Sequence, residues 1–300
     1  MRGIIGYGTY VPYYRLDRSK ITAAMGTGGG RGHRAVASYD EDTTTMGVEA
    51  ARNALDASSV TPSSIWFATA NPAYLDKTNA TAIQAALDLP QETWAVDAGG
   101  AARSAEAAIR GAMGTAGISL AVASDLRTGN PTSNDESGGG DAAAALLFGD
   151  EEDAPVIAQA LGVAASTGEF LDRYRLPGES ASRIWEERFG EQAYLTLAND
   201  AIERATKDAN VGLEDVDKVI IAGLHARAVR GLARIAGDKL VDDLTSQIGN
   251  PGTAQLPLLV ASALDQAAPG ETILCVHLAD GAYAAVVQTT PAIADYNPSA

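Results

Sequence analysis

Residues 96–109 read VDAGGAARSAEAAI: the tail of an apolar segment, two glycines, then alanines with polar residues at helical intervals. That order predicts a strand ending near Ala98, a glycine turn and a helix over about 101–113, whose small side chains suit close burial. Working outward, GIIGYGTYVP (3–12) reads as a first strand and GTGGGRGHR (26–34) as a loop. Acids and threonines suited to an N-cap then open a helix carrying Met46, Ala50 and Leu55 at helical spacing. IWFATA (65–70), a helix over 79–88, WAVDA (94–98) and ISLAVAS (118–124) continue the β/α alternation. RTGNPTSNDESGGGD (127–141) has turn composition throughout and reads as a surface loop before the buried strand AAAALLFGD (142–150).

The order then starts again. A helix over 191–209, the loop NVGLEDVD (210–217) and the strand KVIIAGL (218–224) repeat the helix 43–56, the loop SSVTPSS (58–64) and IWFATA. Val60 and Ile65 are answered by Val211 and Val216. GNPGTAQLPLLVASALDQA (249–267) stands where GGAARSAEAAIRGAM stood, and TILCVHLADGAYAAVV (272–287) answers ISLAVASD together with GGGDAAAALLFGD. A recurrence of roughly 150 residues is too long for a solenoid unit and points to a duplicated α/β body. The halves are expected at 1–162 and 163–300, with a variable insertion over 163–190 in the second. Alternating strands and helices imply mainly parallel sheets covered by helices, hence an α/β/α/β/α layering.

Composition narrows the function classes. A formal charge of −16 surrounds the chain with a field that disfavours nucleic acid and anionic membranes. One cysteine, Cys275, excludes internal disulfides and multi-thiolate zinc sites and fits a reducing, cytoplasmic compartment. The N-terminal apolar stretch is short and broken by Gly6, Gly8 and Pro12, unlike a signal-peptide core. No apolar run approaches the roughly 20 residues of a membrane helix.

In this order, DEDTTTMGVEAARNAL (40–55), PAYLDKTNAT (72–81), FLDRYRLPG (170–178), ERFGEQAYL (187–195) and IGNPGTA (248–254) resemble the thiolase superfamily, specifically its hydroxymethylglutaryl-CoA synthase branch, which is 3-oxoacyl-ACP synthase III-like. The resemblance spans nearly the whole chain and implies a duplicated thiolase-like fold, an acyltransferase of lipid metabolism, coenzyme A thioester as substrate or ligand, and no covalently bound cofactor. It also implies a homodimer through the first-half sheet and, in some relatives, a zinc-ribbon/OB-fold acyl-CoA-binding partner, separate or fused; the polar tail ADYNPSA (294–300) carries no such module.

The same resemblance places a thiolate nucleophile at Ala102, a glutamate at Ala70 and a histidine at Ala222, so three expected catalytic positions hold alanine. Only the asparagine, Asn250, is kept. Loss of a covalent nucleophile from a site built around it costs on the order of 10^6 in rate. A covalent acyl-enzyme is therefore excluded as the ordinary route. Two expectations remain: aldol, retro-aldol or condensation chemistry on an acyl-CoA through enolate stabilisation, or a catalytically inert acyl-CoA-binding or scaffold subunit.

For the first, the N–H groups at Ala102, the Asn250 amide and the backbone at Gly281 are candidate oxyanion donors. His225, Asp280, Tyr283 and Tyr74 are candidate acids or bases. Each has a plainer reading: His225 as a loop residue or helix cap, Asp280 as the turn former of an Asp-Gly pair, and both tyrosines as core aromatics. Arg103 either contacts a CoA phosphate or a carboxylate, or pairs with Asp97 or Glu106. Arg175, in the insertion, is expected to line the acyl-CoA tunnel. Arg31, His33 and Arg34 are read as part of a flexible surface or dimer-edge loop rather than a diphosphate cradle. DEDTTT caps a helix instead of binding Mg²⁺, because no second carboxylate cluster completes octahedral coordination. No metal site is expected.

Overall fold

A computed structural model describes residues 2–184 and 187–298. The expected insertion 163–190 includes Trp185 and Glu186, and the polar tail includes Ser299 and Ala300; these four lie outside the described residues. The first half of the chain runs β1 (Arg2–Tyr10), β2 (Tyr14–Asp17), α1 (Ser19–Met25), β3 (His33–Val36), α2 (Thr43–Ser58), β4 (Ser64–Thr69), α3 (Ala80–Ala86), β5 (Trp94–Gly99), α4 (Ser104–Gly114), β6 (Ser119–Asp125), α5 (Asn134–Gly138) and β7 (Ala142–Asp150). The second runs β8 (Ala158–Thr167), β9 (Arg173–Tyr174), β10 (Arg183–Ile184), α6 (Glu187–Ala209), β11 (Lys218–Gly223), α7 (Ala226–Ala236), α8 (Gln255–Leu264), β12 (Thr272–Leu278) and β13 (Gly281–Thr289).

Among the described residues, nine strands form one sheet in the order β11-β12-β13-β8-β1-β7-β6-β4-β5. Its two arms repeat each other. β4 pairs parallel to β6, β6 antiparallel to β7 and β7 antiparallel to β1. In the same way β11 pairs parallel to β12, β12 antiparallel to β13 and β13 antiparallel to β8. Even the edge is echoed: β4 pairs parallel with β5, and β11 makes a single parallel bridge, Val219 to Leu240. The arms meet where β1 lies antiparallel to β8, with Ile4 opposite Ala158. The expected boundary at 162/163 falls inside β8, and the mainly parallel sheets expected from the alternation are in fact mixed. Only Ala279 and Asp280 separate β12 from β13, a link too short for anything but a hairpin.

Burial on both faces explains the near-continuous apolar strands. In β6, Leu120 and Val122 join Met46, Ala50 and Ala54 of α2 in one outer core, while Ala121 and Ala123 turn inward. In β12, Leu274 and Val276 join Ala198, Ala201 and Ala205 of α6 in the other outer core, and Cys275 turns inward. Between the arms lie α4 and α8, with Ala108, Ala112, Leu256 and Leu259 packed against residues of both. These are five layers: helix, strand, helix, strand, helix. Each fully buried Leu, Val or Phe contributes roughly 1.5–3 kcal/mol, so the three cores supply most of the drive to fold.

Local signals set the helix starts. Asp42 accepts the N–H groups of Thr44 and Thr45 at 2.9 and 2.8 Å, and its own N–H donates to the Thr45 hydroxyl, the reciprocal box that acids and threonines there predict. The helix after Gly100 begins at Ser104 rather than 101. Residues 101–106 first make a tighter turn, with N–H groups bonding three residues back, Ala105 to Ala102 at 3.2 Å and Glu106 to Arg103 at 3.0 Å.

Residues 127–141 are not a wholly surface loop: the segment carries α5 and is buried at Asp135 and over 139–141. Asp135 and Asp141 are buried, Gly140 N–H donates to Asn250 C=O at 3.0 Å, and Asn250 N–H donates to Gly138 C=O at 2.8 Å. Two of the segment's acids turn inward because arginines meet them: Arg173 grips Asp135 with two bonds, and Arg34, itself buried, lies 3.5 Å from Asp141. Glycine permits the approach, since a Cβ at Gly140 would fall 1.9 Å from the Ile248 carbonyl oxygen. Arg34 and His33 sit in β3, with Ala35 N–H donating to Ile248 C=O, so this part of the glycine-rich stretch is anchored rather than flexible.

Candidate functional site

Ala102 lies at the mouth of α4 and is buried. The next residue, Arg103, ties the two arms together. Its guanidinium donates to the Asp280 carbonyl at 2.5 Å and the Thr167 hydroxyl at 2.8 Å, and its Nε lies 3.2 Å from Glu106. Of the two expected acids it therefore takes Glu106; Asp97 instead accepts the N–H groups of Asn79 and Ala80 at the start of α3. These contacts bridge the two arms and leave the Arg103 side chain about 24% exposed.

Glu106 also reaches a residue that sequence reading passed over. Its other oxygen lies 2.9 Å from Nδ1 of His277, an imidazole with no solvent exposure whose Nε2 has no hydrogen-bond partner among the described residues. In register, His277 stands beside Ala222 of β11 and Tyr283 of β13. Within TILCVHL a single histidine looks like part of a core strand; only the pairing of a helix carboxylate with it, 171 positions away, gives it meaning.

A cavity of about 460 Å³ is lined by both arms, with His225, Asn250 and four arginines, Arg18, Arg127, Arg173 and Arg230, in its wall. Asp135, Asp172 and Asp243 line it too, but Arg173 already neutralises Asp135. Burial lowers the pKa of Arg127, and its Nε, like that of Arg18, has no hydrogen-bond partner among the described residues. His225 caps α7: Nδ1 accepts the Ala228 N–H at 3.1 Å, which leaves the ring proton on Nε2. Among the described residues Nε2 has no hydrogen-bond partner, and it abuts Gly190 of α6, where an added Cβ would fall 2.6 Å away. Asn250 donates to Gly223 C=O at 2.8 Å and Gln255 Oε1 at 2.9 Å and accepts from Gly252 N–H at 2.9 Å. Both its N–H donors are spent inside the fold.

The structure thus brings His225 and Asn250 together and sets the other candidates apart from them. Tyr74 is exposed, with its backbone tied to Asn79. Tyr283 is buried and lines a second, apolar cavity of about 50 Å³ together with Cys275. Asp280 takes the left-handed φ of 46° and Gly281 a φ of 123° in the hairpin between β12 and β13. Burial and the Asp172 carboxylate raise the Asp280 pKa. Ala222 is sealed in the core. Ala70 donates its N–H to Asp125 at 2.8 Å and accepts from Arg175, which is exposed, at 2.8 Å. Asp125, also missed in the sequence, holds Thr69, Ala70 and Thr253 at once and so fastens the ends of β4 and β6 to the turn after Asn250.

Among curated proteins, the hydroxymethylglutaryl-CoA synthase of Methanocaldococcus jannaschii is 30% identical over 301 residues, covering 94% of this chain and 86% of that protein. The chain belongs to the hydroxymethylglutaryl-CoA synthase family. The Pyrococcus furiosus hydroxymethylglutaryl-CoA synthase is similar at 29% identity over 293 residues, 93% of this chain and 83% of that one. No protein-family model matches the sequence. In fold the chain is thiolase-like: 3-oxoacyl-(acyl carrier protein) synthase III from Pseudomonas aeruginosa superimposes with a TM-score of 0.82 at 21% identity, covering 97% of this chain and 98% of that one. A hydroxymethylglutaryl-CoA synthase solved in complex with CoA superimposes with a TM-score of 0.84 at 18% identity, covering 99% and 84%. Among the described residues of this family member, no helix is long and apolar enough to cross a membrane.

Proposed function

We propose that this protein binds a CoA thioester non-covalently in the 460 Å³ cavity and does not pass through an acyl-enzyme. One observation carries the reading: the cavity beside the retained Asn250 turn gathers four guanidinium groups, on a chain of net charge −16, and holds no thiol. Four guanidiniums against three aspartates leave the wall a small cationic excess on an otherwise acidic chain, and the Nε groups of Arg18 and Arg127 have no hydrogen-bond partner among the described residues, which favours an anionic ligand there. A solved relative of the same fold is described as complexed with CoA, which supports the ligand class.

Titrating CoA and acetyl-CoA calorimetrically tests it. Saturable binding, weakened about tenfold by Arg230→Glu and by added salt, is the expected result. Absence of binding by either ligand would overturn the reading.

The condensation or retro-aldol expectation changes its footing. Asn250 spends both N–H donors inside the fold and His225 spends Nδ1 on the cap of α7, so enolate support would fall to the His225 Nε2–H and to the N–H groups of Ala102 and Arg103, which donate to no other group among the described residues. The same commitments favour the second reading, an inert acyl-CoA-binding subunit. β5 is the edge of the sheet, with Trp94 exposed on it, and offers the surface for a homodimer. A zinc-ribbon/OB-fold protein is the further partner we propose, in a reducing, cytoplasmic setting that suits one buried thiol.

A further inference from the structure

We infer that Arg127 anchors a carboxylate deep in the 460 Å³ cavity and so selects a thioester whose acyl group ends in a free carboxylate; the inference rests on the CoA-thioester reading above. Arg127 follows β6 by two residues and lines that cavity together with Gly139, Asn250 and Arg230. Its side chain is only 11% exposed, whereas Arg230 is an exposed residue. Two glycines make room for it. A Cβ at Gly139 would fall 2.9 Å from the Arg127 Cβ, and one at Gly252, where φ is 56°, would fall 3.4 Å from a terminal guanidinium nitrogen.

What sets this arginine apart is how little of it the fold uses. Its guanidinium donates no hydrogen bond among the described residues, and its ion pair with Asp135 is a loose 3.7 Å. Asp135 is already gripped by Arg173 at 2.8 and 2.6 Å. Asp125, the other nearby acid, commits one oxygen to Thr69 and Ala70 and the other to Thr253. The charges that reach Arg127 are those two carboxylates against the guanidiniums of Arg173 and Arg175, so its own charge is left over. The remaining acids of the cavity wall are engaged as well: Asp172 accepts the Tyr194 hydroxyl at 3.0 Å, and Asp243 accepts the N–H and hydroxyl of Thr245 at 2.9 and 2.6 Å. A buried cation without a hydrogen-bonded counter-ion is costly, and a carboxylate supplies both the charge and two acceptors for the planar fork.

The two ends of a CoA thioester bring different chemistry to such a cavity. Its phosphates belong to the hydrated nucleotide end and suit the exposed Arg230; the acyl end, threaded inward, is the part that meets a side chain as covered as Arg127. An acyl chain ending in a methyl would strip water from the guanidinium and give it no partner. One ending in a carboxylate pairs it. Selection follows from that asymmetry, because a buried polar group rejects the analogue that lacks its partner.

Calorimetry with succinyl-CoA and butyryl-CoA, whose acyl chains are of equal length, tests the proposal, with CoA and free succinate alongside. Wild type is expected to bind succinyl-CoA about 30-fold more tightly than butyryl-CoA, and succinate at least about 100-fold more weakly than succinyl-CoA. R127Q is expected to reduce the succinyl preference to within about threefold while binding butyryl-CoA at least as tightly as wild type does, which also shows that the site is folded. R127K, which keeps the charge without the fork, is expected to lose most of the preference. Should R127Q not fold, the wild-type comparison and R127K decide alone. Equal affinity of wild type for the two thioesters, or a preference that survives R127Q or R127K intact, overturns the proposal and leaves the CoA reading standing. Equal loss of CoA, butyryl-CoA and succinyl-CoA in R127Q assigns Arg127 to the phosphates or to packing and also overturns it. Succinate binding as tightly as succinyl-CoA assigns the site to a free acid and does the same. Absence of binding by every CoA ligand in wild type overturns both readings.

Discussion

Cys275 shows how one residue's surroundings decide its chemistry. Its thiol sits on the inward face of β12 beside an apolar cavity, and burial pushes its pKa up to about 12. The thiolate is the reactive form, so at pH 8 the folded protein is expected not to react with a disulfide reagent, whereas one thiol per chain reacts once urea unfolds it. Prompt labelling of the native protein would show that the strand is more open than described. This burial was legible, because a cysteine amid TILCVHL has apolar neighbours on both sides. The partner of Arg103 was legible as one of two acids at helical or strand spacing, and the structure selects Glu106. His277 was not legible: its partner lies on a helix of the other arm, a relation that no local pattern encodes.

At the scale of elements, Asp125 holds more together than any other single carboxylate in the site region. One oxygen accepts Ala70 N–H and the Thr69 hydroxyl at 2.8 and 3.1 Å; the other accepts Thr253 N–H and its hydroxyl at 2.7 and 2.6 Å. Asp125→Asn would turn an NH₂ group toward donors it cannot accept from. We expect a loss of about 3 kcal/mol in urea unfolding, well above that of a surface Asp→Asn change. A loss below about 1 kcal/mol would mean the three elements hold their places without it. Helices and strands were readable from their periodicity, including the Asp42 capping box. Segment 127–141 was not, because its serines, acids and glycines carry the composition of a solvated turn. What draws it inward is a set of arginines placed by β3, the loop after β6 and β9, and the sequence does not show those juxtapositions.

For the molecule as a whole, the duplication was visible in the order of elements because each arm repeats the same strand and helix signals. The mixed sheet was not, since alternation alone does not tell a crossover from a hairpin. The arms and the segment packed between them are held partly by charge. Burial by itself would raise the Asp135 pKa, but the two Arg173 bonds and the charges of Arg173, Arg127 and Arg34 hold it below the usual carboxylate range. The folded value is the depressed one, so this carboxylate's contribution to stability is complete above its unfolded pKa of about 4 and is lost as pH falls through the folded value. Urea unfolding from neutral to acid pH should therefore show wild type ahead of Asp135→Asn at pH 6, with the gap closing below about pH 4. A gap independent of pH would assign the difference to packing.

We propose that this family fold offers a ligand cavity while Ala102 stands where the resemblance places a nucleophile. The direct measurement is intact-protein mass after incubation with acetyl-CoA under conditions where calorimetry shows the site filled. The account predicts an unchanged chain mass with acetyl-CoA bound and released intact. A chain heavier by one acetyl group, appearing at the rate of ligand binding, would contradict it.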